Sequence, residues 1–427
     1  MQTRGSPIRD APGGTPADVD PVRVHAPAAM PGQAFPATFV PAMRAAPTTR
    51  RIGPFGPVPL DKTRRARHIP AMPELFVANY NPRYTGVSAT AERMARWHAD
   101  RYDLALVGHP LDGLPPPLTP ARARRLSRAP SKGRSHAIWH VRRDPEMISA
   151  IWARDVLRLP IRTVFTSAAK HRHSAFPRWL IGRMDAVIAT SPEAAAFFPG
   201  VAATLPHGVD LSAARPVADR RAAWRALGYG GTKGVAIIGR IRPEKGTDVF
   251  VDAMIEVCRK DPEATGLVLG MTKPAEEPYL RSMTGKVTAA GLGDRILFPG
   301  FVSHGDKARI LPALSLVANV ARYEPFGVVP AEGMAAGTPF VCSDTGYYRE
   351  FSDGGRCGLI VPAGDAAAAA AAIGELLADP DRIETMGHAA RAKAEADHSI
   401  DREAGGAAEI YERLWAGEDL AVHRPVR

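Results

Sequence analysis

The sequence predicts an α/β protein of two Rossmann-like domains in series, preceded by a leader without secondary structure. From Glu74 onward, short apolar runs alternate with amphipathic stretches, the pattern of parallel sheets covered by helices. The alternation occurs as two separate series with a break between them. A length of 427 residues exceeds one ordinary domain and leaves room for two, each with its own core.

Residues 1–70 lack periodicity, are rich in Pro, Gly and Ala, and end in the basic stretch Lys62, Arg64, Arg65 and Arg67, so they read as a disordered leader. Met1 to Asp10 carry no apolar run behind their charges, which predicts neither a signal peptide nor a membrane anchor. The alanine run Ala366 to Ala372 is interrupted by Glu375, well short of a bilayer span. Three cysteines, Cys258, Cys342 and Cys357, have no metal-ligand spacing and read as buried thiols in a reducing compartment. A cytoplasmic, soluble protein is therefore expected.

The first domain, residues 71–211, takes its strands from Leu75-Phe76-Val77-Ala78, Leu104-Ala105-Leu106-Val107, Ala137-Ile138-Trp139, Thr163-Val164-Phe165 and Ala186-Val187-Ile188-Ala189. Ala89 to Arg101 and Pro145 to Leu157 space their apolar residues by three and four and predict helices. Asp112 to Arg134, full of Pro and Arg, predicts a long loop. A break follows His207-Gly208-Val209-Asp210. The second domain, residues 212–395, takes its strands from Val235-Ala236-Ile237-Ile238, Leu267-Val268-Leu269, Ile296-Leu297-Phe298, Leu316-Val317-Ala318 and Phe340-Val341-Cys342. In residues 396–427 the helical stretch Asp401 to Trp415 has no strand to precede, which predicts that it crosses back to the first domain.

Two strand ends carry candidate chemistry. Gly239-Arg240-Ile241-Arg242-Pro243-Glu244-Lys245-Gly246 leads into an amphipathic helix, Asp248 to Arg259, which places Arg240 and Lys245 at the carboxyl edge of a parallel sheet, where α/β folds bind ligands. Two fixed cations there suit a diphosphate, whose charge on departure must be met without waiting for solvent to reorganise. A solvated basic pair is the plain alternative. Glu324-Pro325-Phe326-Gly327-Val328-Val329-Pro330-Ala331-Glu332 again follows a strand; Gly327 permits close backbone approach, and the helix opening after it offers free N–H groups to an anion. Glu324 before that helix and Glu332 inside it are both able to face one ligand, although acidic pairs at this spacing also arise by chance.

In this order and spacing the two motifs resemble the retaining glycosyltransferases of family four, which have the GT-B fold of two Rossmann-like domains facing a cleft. The likeness runs from about Glu74 to the C-terminal helix and includes Pro299-Gly300-Phe301-Val302 and Ala335-Ala336-Gly337-Thr338-Pro339-Phe340-Val341. Within the family, Trp139-His140-Val141-Arg142-Arg143, Val164-Phe165-Thr166-Ser167-Ala168-Ala169, Arg183-Met184-Asp185-Ala186-Val187-Ile188-Ala189-Thr190-Ser191 and Gly246-Thr247-Asp248-Val249-Phe250-Val251-Asp252-Ala253-Met254 are similar to lipopolysaccharide core mannosyltransferases.

The resemblance implies that Arg240 and Lys245 bind the donor diphosphate, Glu332 the ribose, and Glu324 the hydroxyls of the donor sugar. Backbone N–H groups after Phe326, at Gly327, Val328 and Val329, would assist. Val302 would meet the nucleobase through its main chain with Lys307 beside it, and Gly86, in Tyr84-Thr85-Gly86-Val87-Ser88, matches the glycine loop that faces the cleft. Arg240, Lys245 and Glu324 would thus be the catalytic set. It implies mannose transferred from GDP-mannose onto a glycan or glycolipid, with no metal cofactor, no nucleic acid and peripheral contact with the inner membrane. Where many members carry a histidine after the fourth strand, Thr166 stands here, and whether His140 replaces it is open.

Several signals are set aside. Asp379-Pro380-Asp381 has a metal-binding spacing but joins two helical stretches, where capping explains it. His171 and His173 are flanked by Lys170 and Arg172, which would repel a cation. The absence of Gly-x-Gly-x-x-Gly and Walker sequences argues against dehydrogenases and ATPases. A formal charge of +11 favours acidic partners, whether nucleic acid, anionic lipid or substrate phosphate, and does not choose among them. Arg122, Arg124, Arg125 and Arg128 in one loop form either a docking patch or a solvated face. A non-catalytic basic binding protein and a nucleotide-sugar epimerase of the same fold are the alternatives to a transferase.

Overall fold

The computed structural model describes residues 72–420 except Tyr84, Lys132, Lys170 and Pro325. The leader, residues 1–70, lies outside the described residues. Strands β1 (Leu75–Asn79), β2 (Leu104–Gly108), β3 (Ala137–Val141), β4 (Ile161–Ser167), β5 (Ala186–Ala189) and β6 (Ala203–Thr204) pair in parallel in the order β2-β1-β3-β4-β5-β6. Strands β7 (Lys233–Ile238), β8 (Ala264–Leu269), β9 (Ile296–Gly300), β10 (Leu316–Asn319), β11 (Phe340–Ser343) and β12 (Gly358–Val361) form a second parallel sheet, in the order β12-β11-β10-β7-β8-β9. The expected α/β class holds, with one short strand added to each sheet.

Both sheets are covered on both faces, which is why their strands read as continuous apolar runs rather than alternating ones. In the first sheet, Leu75 and Val77 face a cluster with Met94 of helix α1 (Gly86–Ala99) and with Ile410, Tyr411 and Leu414 of the C-terminal helix Ile400–Trp415. Phe76 and Ala78 face the opposite cluster, which holds Ala123 of α2 (Pro120–Leu126), Met147 of α3 (Asp144–Ile151) and Leu180 of α4 (Ala175–Ile181).

Helix α2 corrects the long loop expected over Asp112 to Arg134. Thr119 caps it by accepting from the Arg122 N–H at 3.2 Å, and Pro120 occupies the first turn, where its missing N–H costs nothing. The Pro and Arg content hid a start signal. The stretch Pro145 to Leu157 is helical in two parts, α3 and a wide π turn over Trp152–Val156. Asp379 accepts from the Arg382 N–H at 3.0 Å, the capping role expected of it. All three cysteines are buried free thiols. Among the described residues no helix is long and apolar enough to cross a membrane.

The C-terminal helix is tied where the chain passes between the sheets. Val209 and Ser399 form a parallel bridge, the Gly208 N–H donates to Glu403 Oε2 at 2.7 Å, and His207 Nδ1 lies 2.8 Å from Glu403 Oε1. Its other end anchors through Arg134 to Glu412 at 3.0 Å, beneath the Trp415 ring.

Three buried histidines make stability pH-dependent. Burial pushes His98 down to about 3, helped by Arg142 and Arg101, and His398 down to about 4, with Lys393 and Arg402 assisting against Asp397. Burial, with Arg142 and His98 adjacent, also holds His140 well below its ordinary value. All three are neutral in the fold, whereas in the unfolded chain they take up protons below about pH 6.5. The stability they contribute is therefore complete above pH 6.5 and is lost as pH falls toward 4. The expected slope is up to about 1.4 kcal/mol per pH unit for each histidine. Denaturant melts at successive pH values between 7.5 and 5 check this, and His398→Phe is expected to flatten the curve.

Candidate active site

In each sheet the strand order reverses at one point, between β1 and β3 in the first and between β7 and β10 in the second. Loops leaving strands at such a point diverge and open a crevice. The loops after β7 and β10 hold both predicted motifs. Lys245 and Glu324, 79 residues apart, meet there as an ion pair between Lys245 Nζ and Glu324 Oε2.

Two glycines allow that meeting. Gly246 has φ +68°, and a Cβ on it would lie 1.9 Å from the Val320 carbonyl oxygen, so only glycine lets the β7 loop lie against the end of β10. Backbone bonds from the Arg322 and Tyr323 N–H groups to the Glu244 carbonyl, at 2.9 and 3.3 Å, close the contact. Gly327 has φ +90° and sits over Tyr348, where a Cβ would fall 2.0 Å from the ring. From the next residue runs helix Val328–Ala335, with no side-chain cap and no acid in its first turn. The N–H groups of Val328 and Val329 make no hydrogen bond among the described residues and point from a helix N-terminus, which favours an anion.

The Glu324 N–H donates to Thr345 Oγ1 at 3.4 Å and the Tyr347 N–H to the Phe326 carbonyl at 3.0 Å. Phe326 buries its ring against Tyr347, Phe351 and His207. The Tyr348 hydroxyl is buried and has no partner of hydrogen-bond geometry among the described residues; burial and the neighbouring Glu324 carboxylate push it well above its ordinary value.

Glu332 belongs to a second pair. Its Oε2 accepts from Lys307 Nζ at 2.7 Å, and its Oε1 lies 3.9 Å from Arg93 Nη1 of α1, which therefore reaches from the first sheet's layer to the second's. Nε and Nη2 of Arg93 are buried without partners among the described residues. Val302 packs its side chain on the core of the second sheet, while its N–H and carbonyl make no backbone hydrogen bond among the described residues. Arg240 is half-buried and carries no ion pair among the described residues. The structure thus joins Lys245 to Glu324 and Lys307 to Glu332, and leaves Arg240, in the loop after β7, without an ion pair among the described residues.

Gly86 is the exposed first residue of α1, at the reversal point of the first sheet. Arg143 holds that region: Nη1 donates to Asn79 Oδ1 and Glu146 Oε1, both at 3.2 Å, and Nη2 to Thr85 Oγ1 and Ser88 Oγ at 3.0 and 3.1 Å. Thr85 is thereby turned away from capping α1. Glu146 is fully buried and also accepts from the Tyr80 and Arg142 N–H groups, at 3.0 and 2.7 Å. Arg143→Ala leaves that carboxylate without its guanidinium, an expected loss of about 2–4 kcal/mol in denaturant melts.

His140 lies in the core of the first sheet. It is completely buried, with Nδ1 2.5 Å from the Tyr411 hydroxyl and Nε2 2.7 Å from Thr166 Oγ1. Both ring nitrogens are committed, so it joins β3, β4 and the C-terminal helix. Arg93 and Arg143 escape a reading of sequence because their partners are remote; only the position of Arg143, just past β3, hints at a role. Among the described residues no group of three His, Cys, Asp or Glu side chains is placed to hold a metal ion.

A sequence profile of the family "Glycosyl transferases group 1" matches residues 224–393. The chain is 36% identical over 347 residues to the lipopolysaccharide core biosynthesis mannosyltransferase LpsB of Rhizobium meliloti, covering 80% of this chain and 97% of that protein. It is likewise 36% identical over 345 residues to the lipopolysaccharide core biosynthesis mannosyltransferase LpcC of Rhizobium leguminosarum, covering 80% and 96%. Among solved structures, Anabaena Alr3699/HepE in complex with UDP superposes with a TM-score of 0.69 at 20% identity, covering 80% of this chain and all of that one. Sucrose-phosphate synthase from Thermosynechococcus elongatus gives 0.64 at 22%, covering 81% and 99%. These two likenesses establish the GT-B fold.

Proposed function

The chain belongs to the group 1 glycosyl transferases, and from that premise we propose that it moves mannose from GDP-mannose onto a glycolipid acceptor of the lipopolysaccharide core type, with retention of configuration. The observation that carries the donor site is the Lys245–Glu324 pair at the reversal point of the second sheet, beside an uncapped helix N-terminus. Without a ligand each charge neutralises the other. With a nucleotide sugar bound, Lys245 turns to the diphosphate together with Arg240 and the N–H groups of Val328 and Val329, and Glu324 accepts hydroxyls of the sugar.

In this reading the bond between the anomeric carbon and the phosphate oxygen breaks as the acceptor oxygen bonds to the same face. The acceptor's proton passes to the departing phosphate. The negative charge growing on that phosphate is what the fixed cations and amides stabilise. They do so without a divalent ion, so chelation by EDTA is expected to leave turnover unchanged. Glu332 takes the ribose hydroxyls, Val302 and Lys307 the base, and Gly86 approaches the donor from the first domain. Residues 212–395 hold the donor and residues 71–211 the acceptor.

The two similar mannosyltransferases support mannose as the sugar moved, and a direct comparison of donors tests the nucleotide. Thermal-shift measurements with GDP-mannose, UDP-glucose and the free nucleotides are expected to give the largest rise with GDP-mannose, because a ligand that binds only the native state stabilises it by mass action. A larger rise with a UDP-sugar would overturn the donor assignment and leave the transferase in place. Product analysis without acceptor separates an epimerase.

A further inference from the structure

The loop after β11 clamps the turn that carries Glu324. Thr345 Oγ1 accepts from the Glu324 N–H at 3.4 Å, the Tyr347 N–H donates to the Phe326 carbonyl at 3.0 Å, and the Tyr347 ring stacks on Phe326 with centroids 5.0 Å apart. These contacts fix the main chain of the turn. Tyr348, the next residue, runs underneath it: a Cβ on Gly327 would fall 2.0 Å from the Tyr348 ring and 2.6 Å from its hydroxyl oxygen, so that oxygen lies directly below the Gly327 backbone. The whole side chain is buried, with its ring in the core of the second sheet beside Phe351.

Packing accounts for the ring and not for the hydroxyl. A phenylalanine would fill the same space, whereas a buried hydroxyl that makes no hydrogen bond is a net cost to the fold. The Tyr348 hydroxyl has no hydrogen-bond partner among the described residues. Two ionisable side chains lie close enough to act on it, the Glu324 carboxylate and the Cys342 thiol. Burial holds that thiol well above its ordinary value, so it stays neutral and is a weak acceptor. The carboxylate is a strong acceptor, and in the structure Lys245 Nζ occupies its Oε2.

We propose that Tyr348 is a positioning residue for sugar transfer: its hydroxyl donates to the Glu324 carboxylate once Lys245 has turned to the diphosphate, and holds that carboxylate on the donor sugar. The inference rests on the reading of Glu324 as the sugar-binding carboxylate. When the lysine leaves, a largely buried carboxylate loses its partner, and a donor already fixed in the fold offsets the loss. Tyr348 suits that part because its ring cannot swing away with the lysine. Being closed off from solvent, its hydroxyl acts through Glu324 and does not touch the sugar itself.

The test is Tyr348→Phe, which removes the oxygen and keeps the ring, made in the wild type and in Glu324→Ala. Release of nucleotide from GDP-mannose, and from UDP-glucose alongside it, measures kcat/KM; melts without donor measure the fold. Tyr348→Phe is expected to lower kcat/KM on the order of tenfold in the wild type, to cost nothing further in Glu324→Ala, and to melt without donor at or above the wild-type temperature. A hydroxyl that only supports the fold would lower the donor-free melt and depress turnover in both backgrounds. The proposal is overturned by wild-type kcat/KM in Tyr348→Phe, by a lower donor-free melt, or by an equal further loss in Glu324→Ala. Each of these strikes Tyr348 alone, with the wild type still turning over. A wild type that releases nucleotide from neither donor and melts no higher with either overturns the transferase reading, and this proposal with it.

Discussion

Lys245→Ala is expected to lower kcat/KM for sugar transfer by about a thousandfold while the protein remains folded, because a preorganised cation facing the leaving group supplies stabilisation of that order. The Gly246 turn fixes the loop that carries the lysine, so in the proposed mechanism its charge has only to turn from Glu324 to the diphosphate when donor binds. Glu324→Ala is expected to be similarly impaired, since the pair acts as a unit and the effects do not add. The double variant Lys245→Ala/Glu324→Ala separates catalysis from folding: it removes both charges, leaves no buried ion alone, and is expected to melt near the wild type yet remain inactive. Steady-state kinetics beside thermal melts of the three variants measure both quantities. Wild-type turnover in either single variant would remove that residue from the mechanism.

Gly246→Val is expected to destabilise the protein by about 3–5 kcal/mol and to abolish the response to donor. Two costs add. A β-branched residue at φ +68° carries a backbone penalty of roughly 1–2 kcal/mol, and a Cβ 1.9 Å from the Val320 carbonyl forces apart two pieces of backbone that have no flexible end to yield. Separating the loops also separates Lys245 from Glu324, so stability and binding should fall together. A drop in melting temperature on the order of 10 °C, with no further rise on adding GDP-mannose, is the expected result.

Much of the fold was legible because buried parallel strands announce themselves as apolar runs, as at Leu104–Gly108 and Lys233–Ile238. Neither short edge strand was expected: Ala203–Thr204 lacks such a run, whereas Gly358–Val361 carries one in Leu359-Ile360-Val361. Helix Pro120–Leu126 was misread because proline at its start counts as a breaker when the Thr119 cap is ignored. At the candidate site, the loops that carry Lys245 and Glu324 were legible from local signals: a glycine turn after a strand, then a helix. The links of Lys307 to Glu332 and of Arg93 to Glu332 were not, because each depends on how separate helices pack. His140 shows the converse. Its sequence position resembles a functional one, yet Tyr411, 271 residues away, consumes it.

In the proposed mechanism the two loops at the reversal point of the second sheet close on a nucleotide diphosphate. A crystal structure of the complex with GDP tests it most directly. The expected result is the diphosphate at about 3 Å from Lys245 Nζ and Arg240, capped by the Val328 and Val329 N–H groups. GDP bound elsewhere, with Lys245 still paired only to Glu324, would contradict it.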